Sequence, residues 1–119
     1  MEPDREGTIM FTDFMLNEQW FAAMDSAHEH NFKFSEAISF IVNCYNQEEI
    51  DYFWNKLSFI PEAEQCGWLK NKYGISWQIV PDFLSRLLSN QDTKKSKKVM
   101  KELMQMKKID IDVLINASH

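Results

Sequence analysis

The sequence predicts one α+β domain with a mostly antiparallel sheet and helices at its C-terminal end. Up to residue 81, apolar runs rich in β-branched and aromatic residues alternate with polar turns, and one amphipathic helical pattern interrupts them. Beyond residue 81 the apolar residues recur at helical spacing. A chain of 119 residues has room for one modest core and not for two independent ones. This order of elements is typical of the α+β class.

The first two runs predict an antiparallel hairpin. Thr8–Leu16 and Gln19–Met24 are rich in aromatic and other apolar residues, and the polar pair Asn17-Glu18 separates them. The stretch that follows, residues 25–34, is polar and lacks periodicity, which predicts an exposed connection.

The next run, Glu36–Cys44, predicts a strand covered on at least one face, followed by a helix. Asn46 can cap this helix, because Glu49 follows three residues later and lies near the positive end of the helix dipole. The apolar stripe of the helix has the spacing that buries one side and contains Ile50, Phe53, Trp54 and Leu57.

Two further runs, Cys66–Leu69 and Ile75–Val80, predict a second antiparallel hairpin. Gly74 supplies the positive φ that this reversal needs. Pro81 ends the strand and suits the opening of a helix. Asp92 and Asp110 stand where they can cap two later helices. The apolar residues of the three C-terminal helices are Phe83, Leu84, Leu87, Leu88, Val99, Leu103, Met106, Val113 and Leu114.

Composition and charge exclude several classes of function. Eighteen acidic and thirteen basic side chains give a net charge of −5, which disfavours binding to nucleic acid and to anionic membranes. Lys94, Lys95, Lys97 and Lys98 predict a solvated helix face. Three glycines in total exclude a glycine-rich phosphate loop.

The expected compartment is the reducing cytoplasm. Met1–Gly7 does not resemble a signal peptide, and no apolar stretch approaches the roughly 20 residues that cross a bilayer. Cys44 and Cys66 lack the spacing of a redox pair or a zinc site, so both are predicted to be small core residues in strands.

Few residues suggest a chemical site. His28 and His30 are one residue apart in a polar stretch, and two ligands are too few for a metal. Neither cysteine has a nucleophile signature, and no G-x-S-x-G turn occurs. Trp20, Trp68 and Trp77 all fall on predicted strands, where three large rings could line one concave face. Aromatic residues on a sheet serve packing more often than a pocket, so both interpretations stay open.

Four segments carry a resemblance to a known family. The run Cys66–Pro81, CGWLKNKYGISWQIVP, resembles the signature hairpin of PhnB-like proteins, and Phe34–Asn43, Gln47–Asp51 and Met104–Ile111 add to the likeness. That family is labelled 3-demethylubiquinone-9 3-methyltransferase domain. It is placed in the vicinal oxygen chelate superfamily with glyoxalase I, bleomycin-resistance proteins and extradiol dioxygenases.

The resemblance implies paired βαβββ modules that curl into a cup around a ligand, frequently at a metal. On this basis the chain is a single domain, 1–119, with the hairpin of an incomplete first module (7–25), a second module (34–81) and a helical tail (82–119). Members of the family open with a strand and a helix that the polar lead before the hairpin does not supply. Since an incomplete sheet exposes a strand edge, we expect a homodimer that completes the cup.

The resemblance also places candidate site residues. Phe40 stands where a metal-binding His is common and Gln78 where a Glu is usual, so we predict no cofactor, although a divalent metal stays an alternative. Only Asp25 and His28 are weak candidates as metal ligands. Gln78 would then orient a small organic ligand between apolar walls formed by Trp20, Phe40 and Trp68.

Three functions follow as hypotheses. The first is a small-molecule-binding dimer without the usual metal site, and the second is a metal-dependent enzyme of lyase or dioxygenase type. The third is a structural or regulatory dimer whose cup is filled by its own side chains. The methyltransferase label has no support from the residues, because the glycine-rich turn usual for S-adenosylmethionine sites does not occur.

Overall fold

The computed structural model describes residues 12–23 and 33–119. Contacts divide the chain into two compact units, 1–33 and 34–119, and each has its own sheet. Within the described residues, no helix combines the length and the apolar character that crossing a membrane requires.

The first unit contains the predicted hairpin. Strands β1 (Thr12–Leu16) and β2 (Gln19–Ala23) pair antiparallel, and Asn17 and Glu18 both have positive φ, 49° and 66°. Positive φ at both central positions matches the twist of a two-residue hairpin turn. The rings of Phe14 and Phe21, which are register partners, stack with centroids 5.7 Å apart.

The second unit contains three strands and four α-helices and confirms the α+β class. The elements are β3 (Ser39–Cys44), α1 (Gln47–Leu57), β4 (Trp68–Lys70), β5 (Ser76–Pro81), α2 (Leu84–Leu88), α3 (Thr93–Met104) and α4 (Ile111–Ala117). Strand order is β3-β5-β4, with β3 parallel to β5 and β4 antiparallel to it. A 3-10 turn, Pro61–Ala63, precedes β4.

Three of the four helix starts lie where the sequence predicts them, whereas α2 begins at Leu84, because Pro81 is still part of β5. The Asn46 side chain accepts a hydrogen bond from the Glu49 backbone N–H at 2.9 Å, and Asp92 and Asp110 cap α3 and α4 in the same way. Each cap satisfies a backbone donor that the helix leaves unpaired. One buried cluster then joins the sheet and the helices through Cys44, Ile50, Trp54, Leu69, Ile79, Val80, Val99, Leu103, Ile109, Ile111 and Leu114.

The side chain of Gln47 ties the C-terminal segment to the start of α1. Its Nε2 donates to the Ile109 carbonyl at 2.9 Å, and its Oε1 accepts from the Ile111 backbone N–H at 2.8 Å. Both groups of one amide are therefore used to join positions more than sixty residues apart, which fixes the segment between α3 and α4 against α1.

Cys66 does not lie in a strand, which corrects the sequence-based prediction. Its φ is 53°, and Gly67 follows with φ 85°. The backbone N–H groups of these two residues donate to the carbonyls of Met106 and Lys107 at 2.7 and 2.8 Å. Hydrogen bonding to the C-terminal segment thus delays the start of β4 until Trp68. Cys44, by contrast, is fully buried in β3 as predicted.

The three-stranded sheet has two distinct faces. Successive residues of a strand point to opposite sides, so residues in register share a face. Phe40 is in register with Trp77, and Trp77 with Leu69, whereas Gln78 is in register with Ile41 and with Trp68. We call the first set the covered face: Phe40, Val42, Cys44, Leu69, Trp77, Ile79 and Pro81. The second set is the open face: Ser39, Ile41, Asn43, Trp68, Lys70, Ser76, Gln78 and Val80.

Candidate functional site

The open face has a polar side chain at its centre. Gln78 lies on the middle strand, between its register partners Ile41 on β3 and Trp68 on β4. Its Nε2 donates a hydrogen bond to Ser39 Oγ at 2.9 Å, which fixes the direction of the amide. The carbonyl oxygen of this amide has no hydrogen bond with any residue in the described part of the second unit. The half-buried Gln78 side chain is therefore fixed in orientation, and its carbonyl oxygen is available to accept a hydrogen bond from a ligand.

One hollow lies on the β4 side of the open face, with a volume of about 310 Å³. We call it the Ser76 hollow. Its apolar lining comes from Trp68, Leu69 and Ala63, and its polar lining includes Ser76 and Lys70. A predominantly apolar hollow with a few converging polar groups is the usual form of a small-molecule site.

Ser76 is the most buried polar residue of this hollow. It is 2% exposed, and its Oγ has no hydrogen-bond partner among the described residues. Lys70, its register partner on β4, forms an ion pair with Glu36. The hydrogen bond from the Lys70 ammonium holds the pKa of the Glu36 carboxyl below its usual range, and the charge of Lys70 adds to this effect. The hollow thus contains an unpaired hydroxyl and an ion pair, because Glu36 also lines it.

A second hollow, of about 220 Å³, lies on the β3 side of the open face. We call it the Val80 hollow. Leu84 and Leu88 of α2 line it together with Ile41 and Val80, while Gln78 contributes a polar group. Because Trp68 lines the Ser76 hollow and its register partner Gln78 lines the Val80 hollow, the two hollows adjoin along the same face.

The structure separates the aromatic residues that the sequence analysis grouped. Trp68 and Trp77 lie on neighbouring strands but on opposite faces, so the prediction that they line one face with Trp20 is wrong for this pair. Phe40 also lies on the covered face, where its ring contacts Trp77 with centroids 5.0 Å apart. Trp20 belongs to β2 of the hairpin unit and is 64% exposed. Of the four predicted ligand-binding residues, only Trp68 and Gln78 share the open face.

The described part of the chain contains no cluster of side chains that could bind a metal ion. Within residues 12–23 and 33–119, no three His, Cys, Asp or Glu side chains come together. The weak candidates Asp25 and His28 lie outside the described residues. Phe40, at the position where the resemblance implies a His, has no donor atom and faces away from Gln78.

Sequence analysis missed Ser76 and Lys70. The signal that could have found them is strand alternation, because Ser76 stands two residues before Gln78 and Lys70 two residues after Trp68. Once Gln78 and Trp68 are chosen as site residues, this spacing places the other two on the same face.

Comparisons with known proteins agree with the resemblance in the sequence. The family model described as 3-demethylubiquinone-9 3-methyltransferase matches residues 1–80. A solved structure described as a putative 3-demethylubiquinone-9 3-methyltransferase, PhnB protein, from Bacillus cereus is 39% identical. The match covers 66% of this chain and 70% of that chain, with a TM-score of 0.56. No curated protein matches the chain.

Proposed function

Because this chain belongs to the 3-demethylubiquinone-9 3-methyltransferase family of PhnB-like proteins, we propose that it binds a small organic molecule on the open face of its sheet. The observation that carries the proposal is the position of Gln78 and Trp68. They are register partners at the junction of two hollows, and one offers a fixed amide while the other offers a large ring. An apolar wall with a few oriented polar groups gives a small-molecule site its affinity and its specificity.

The proposal is binding and does not extend to methyl transfer. S-adenosylmethionine usually lies against a glycine-rich turn between a parallel strand and a helix. In this chain Tyr45 and Asn46 connect β3 to α1, and Gly67 and Gly74 instead precede β4 and β5. The family label therefore names a methyl transfer, but these residues do not form the glycine-rich turn that usually binds S-adenosylmethionine.

A screen of small organic fragments by NMR tests the proposal. With ¹⁵N-labelled protein, we expect binding fragments to shift the backbone signal of Gln78 and the indole N–H signal of Trp68. Gln78→Leu should weaken those fragments that hydrogen-bond to the amide by about tenfold, since a buried ligand group loses its partner. Gln105→Leu, the same change at an exposed residue after α3, is the matched control and should leave affinity unchanged. A screen whose hits shift only signals distant from the open face would contradict the proposal.

We also propose that the chain forms a homodimer through the outer edge of β3. This strand pairs only with β5 within the described residues, so one row of its backbone donors and acceptors is left without a strand partner. Ile38, just before this strand, and Ile41, within it, are 78% and 57% exposed. An exposed apolar edge strand favours pairing with another chain.

Sedimentation equilibrium tests the dimer. We expect a dimer for the unaltered chain and a shift toward monomer for the double variant Ile38→Lys, Ile41→Lys, because lysine on an edge strand opposes pairing. Met100→Lys, at an exposed apolar residue of α3, is the control and should leave the association unchanged. A monomer at all concentrations, or a dimer that the double variant does not weaken, would contradict the edge as the interface.

A further inference from the structure

We propose that the Ser76 hollow receives a carboxylate group, so that the ligand is a small carboxylic acid with an apolar body. The inference rests on the proposed function and names the chemical class of its ligand. Lys70 would balance the negative charge, Ser76 would donate a hydrogen bond, and the apolar body would lie against Trp68.

Ser76 supplies the first observation. Its hydroxyl is buried, and no described residue accepts or donates a hydrogen bond to it. Burying a hydroxyl without a partner is unfavourable, so such groups in folded proteins usually meet a ligand or water. Its backbone lies between the strand partners Ser39 and Lys70, and it lines the hollow. A ligand oxygen in the hollow would complete its hydrogen bonding.

Lys70 supplies the second observation. Among the described residues it is the only cation that lines this hollow, and its side chain is 26% exposed, against 65% for its ion-pair partner Glu36. An exposed ion pair contributes little to stability, because water solvates the released carboxylate almost as well. A ligand carboxylate can therefore replace Glu36 at Lys70 without a large loss. The ammonium carries three donors, so it can also contact both acids at once.

The other polar side chains near the hollow show which donors are available to a ligand. The Gln65 amide already donates to the Met104 carbonyl at 2.8 Å, so it is committed to the C-terminal segment. The indole N–H of Trp77 also has no partner among the described residues, but it belongs to the covered face. Among the described residues that line the hollow, the donors left for a ligand are the Lys70 ammonium, the Ser76 hydroxyl and the indole N–H of Trp68. Trp68 and Ala63 provide the apolar contact that a carboxylate alone would not use.

The test compares benzoate with benzamide, which has the same ring and a similar size but no charge. Binding is followed by NMR through the backbone signals of Ser76 and Lys70 and the indole signal of Trp68. We expect benzoate to bind more tightly than benzamide. Lys70→Gln should weaken benzoate by about tenfold and change benzamide less than about twofold, because only the acid loses a charge-assisted contact. Ser76→Ala should weaken benzoate by a few-fold.

Glu36→Gln is the most informative variant. It alters an exposed residue, so the fold should be unaffected, and it should strengthen binding. Removing the acid that competes for Lys70 should raise benzoate affinity by about three- to tenfold. Lys72→Gln is the matched control for Lys70→Gln. It removes the same charge two residues away, from a lysine that lies over the Tyr73 ring outside the hollow, and it should leave benzoate binding unchanged.

The outcomes separate this inference from the proposed function. If benzoate and benzamide shift the open-face signals with equal affinity, the carboxylate inference is overturned while binding on that face stands. If Lys72→Gln weakens benzoate as much as Lys70→Gln, general charge attraction explains the result and the inference also fails. If neither probe shifts any open-face signal, the inference and the proposed function both lose their basis.

Discussion

The two faces of the three-stranded sheet differ in their surroundings, since one packs against the core and the other carries two hollows. On the covered face Leu69 and Ile79 are 1% and 0% exposed and pack into the core. One residue away along β5, Gln78 faces the opposite side, where Ile41 is 57% exposed and two hollows adjoin. Alternation along β5 therefore places a core residue, Ile79, next to a candidate binding residue, Gln78. Substitutions on neighbouring positions should have different consequences.

The largest expected effect comes from cutting a buried side chain on the covered face. Ile79→Ala should lower the free energy of unfolding by about 2–5 kcal/mol, because it removes packed apolar atoms and leaves a cavity. Gln78→Ala, next to it on the open face, should cost less than about 1 kcal/mol. Urea denaturation of both variants measures the difference. Equal losses at the two positions would remove the distinction between the faces.

A glycine beside the core gives the next largest effect. A Cβ added at Gly67 would lie 2.8 Å from Ile109 Cδ1, and the backbone there has φ 85°. Gly67→Ala should therefore destabilise the chain by about 2–3 kcal/mol through strain and overpacking together. Gly74→Ala, at φ 81° with no atom within 4 Å of the added carbon, isolates the backbone strain and should cost about 1 kcal/mol. Thermal unfolding checks both, and a cost at Gly74 equal to that at Gly67 would contradict the crowding.

The start of α1, the helix that buries Ile50 and Trp54 in the core, should show a smaller effect. Asn46→Ala removes the cap on the Glu49 N–H and should cost about 1 kcal/mol. Asn55→Ala, at an exposed position within the same helix, is the control and should be neutral or slightly stabilising. A helix that tolerates both changes equally would not depend on its cap.

An effect confined to alkaline pH concerns Cys44 of the covered face. Burial, with a lesser contribution from the charge of Glu49, raises the pKa of its thiol from the ordinary value of 9.0 to about 11. The folded state thus holds this proton more tightly, so the contribution to stability is complete below pH 9 and is lost as the pH rises toward 11. Cys44→Ala should flatten this part of the stability curve, as measured by urea denaturation between pH 8 and 11. An unchanged slope in the variant would mean that Cys44 does not cause it.

The local parts of this structure could be predicted from the sequence, and the register could not. Asn46, Asp92 and Asp110 cap their helices as expected, because a cap depends on residues within one turn. The face on which Phe40 lies depends instead on its pairing with Trp77, thirty-seven residues along the chain. A shift of one residue in that pairing would exchange the two faces.

The same limit applies to the site. Gln78 and Trp68 could be selected from the sequence because of the resemblance, but the burial of Ser76 depends on strands that come together only in the fold. The turn at Cys66 was missed for a related reason. Its conformation depends on hydrogen bonds to Met106 and Lys107, which no local pattern indicates.

The most direct test of binding on the open face uses two tryptophans of the sheet as internal references. Trp68 and Trp77 lie on adjacent strands but on opposite faces, and the indole N–H of each can be followed by NMR. During a titration with benzoate, we predict that the Trp68 indole signal shifts in a saturable manner while the Trp77 signal stays in place. A Trp77 signal that moves as far as that of Trp68, or a Trp68 signal that does not move, would contradict the account.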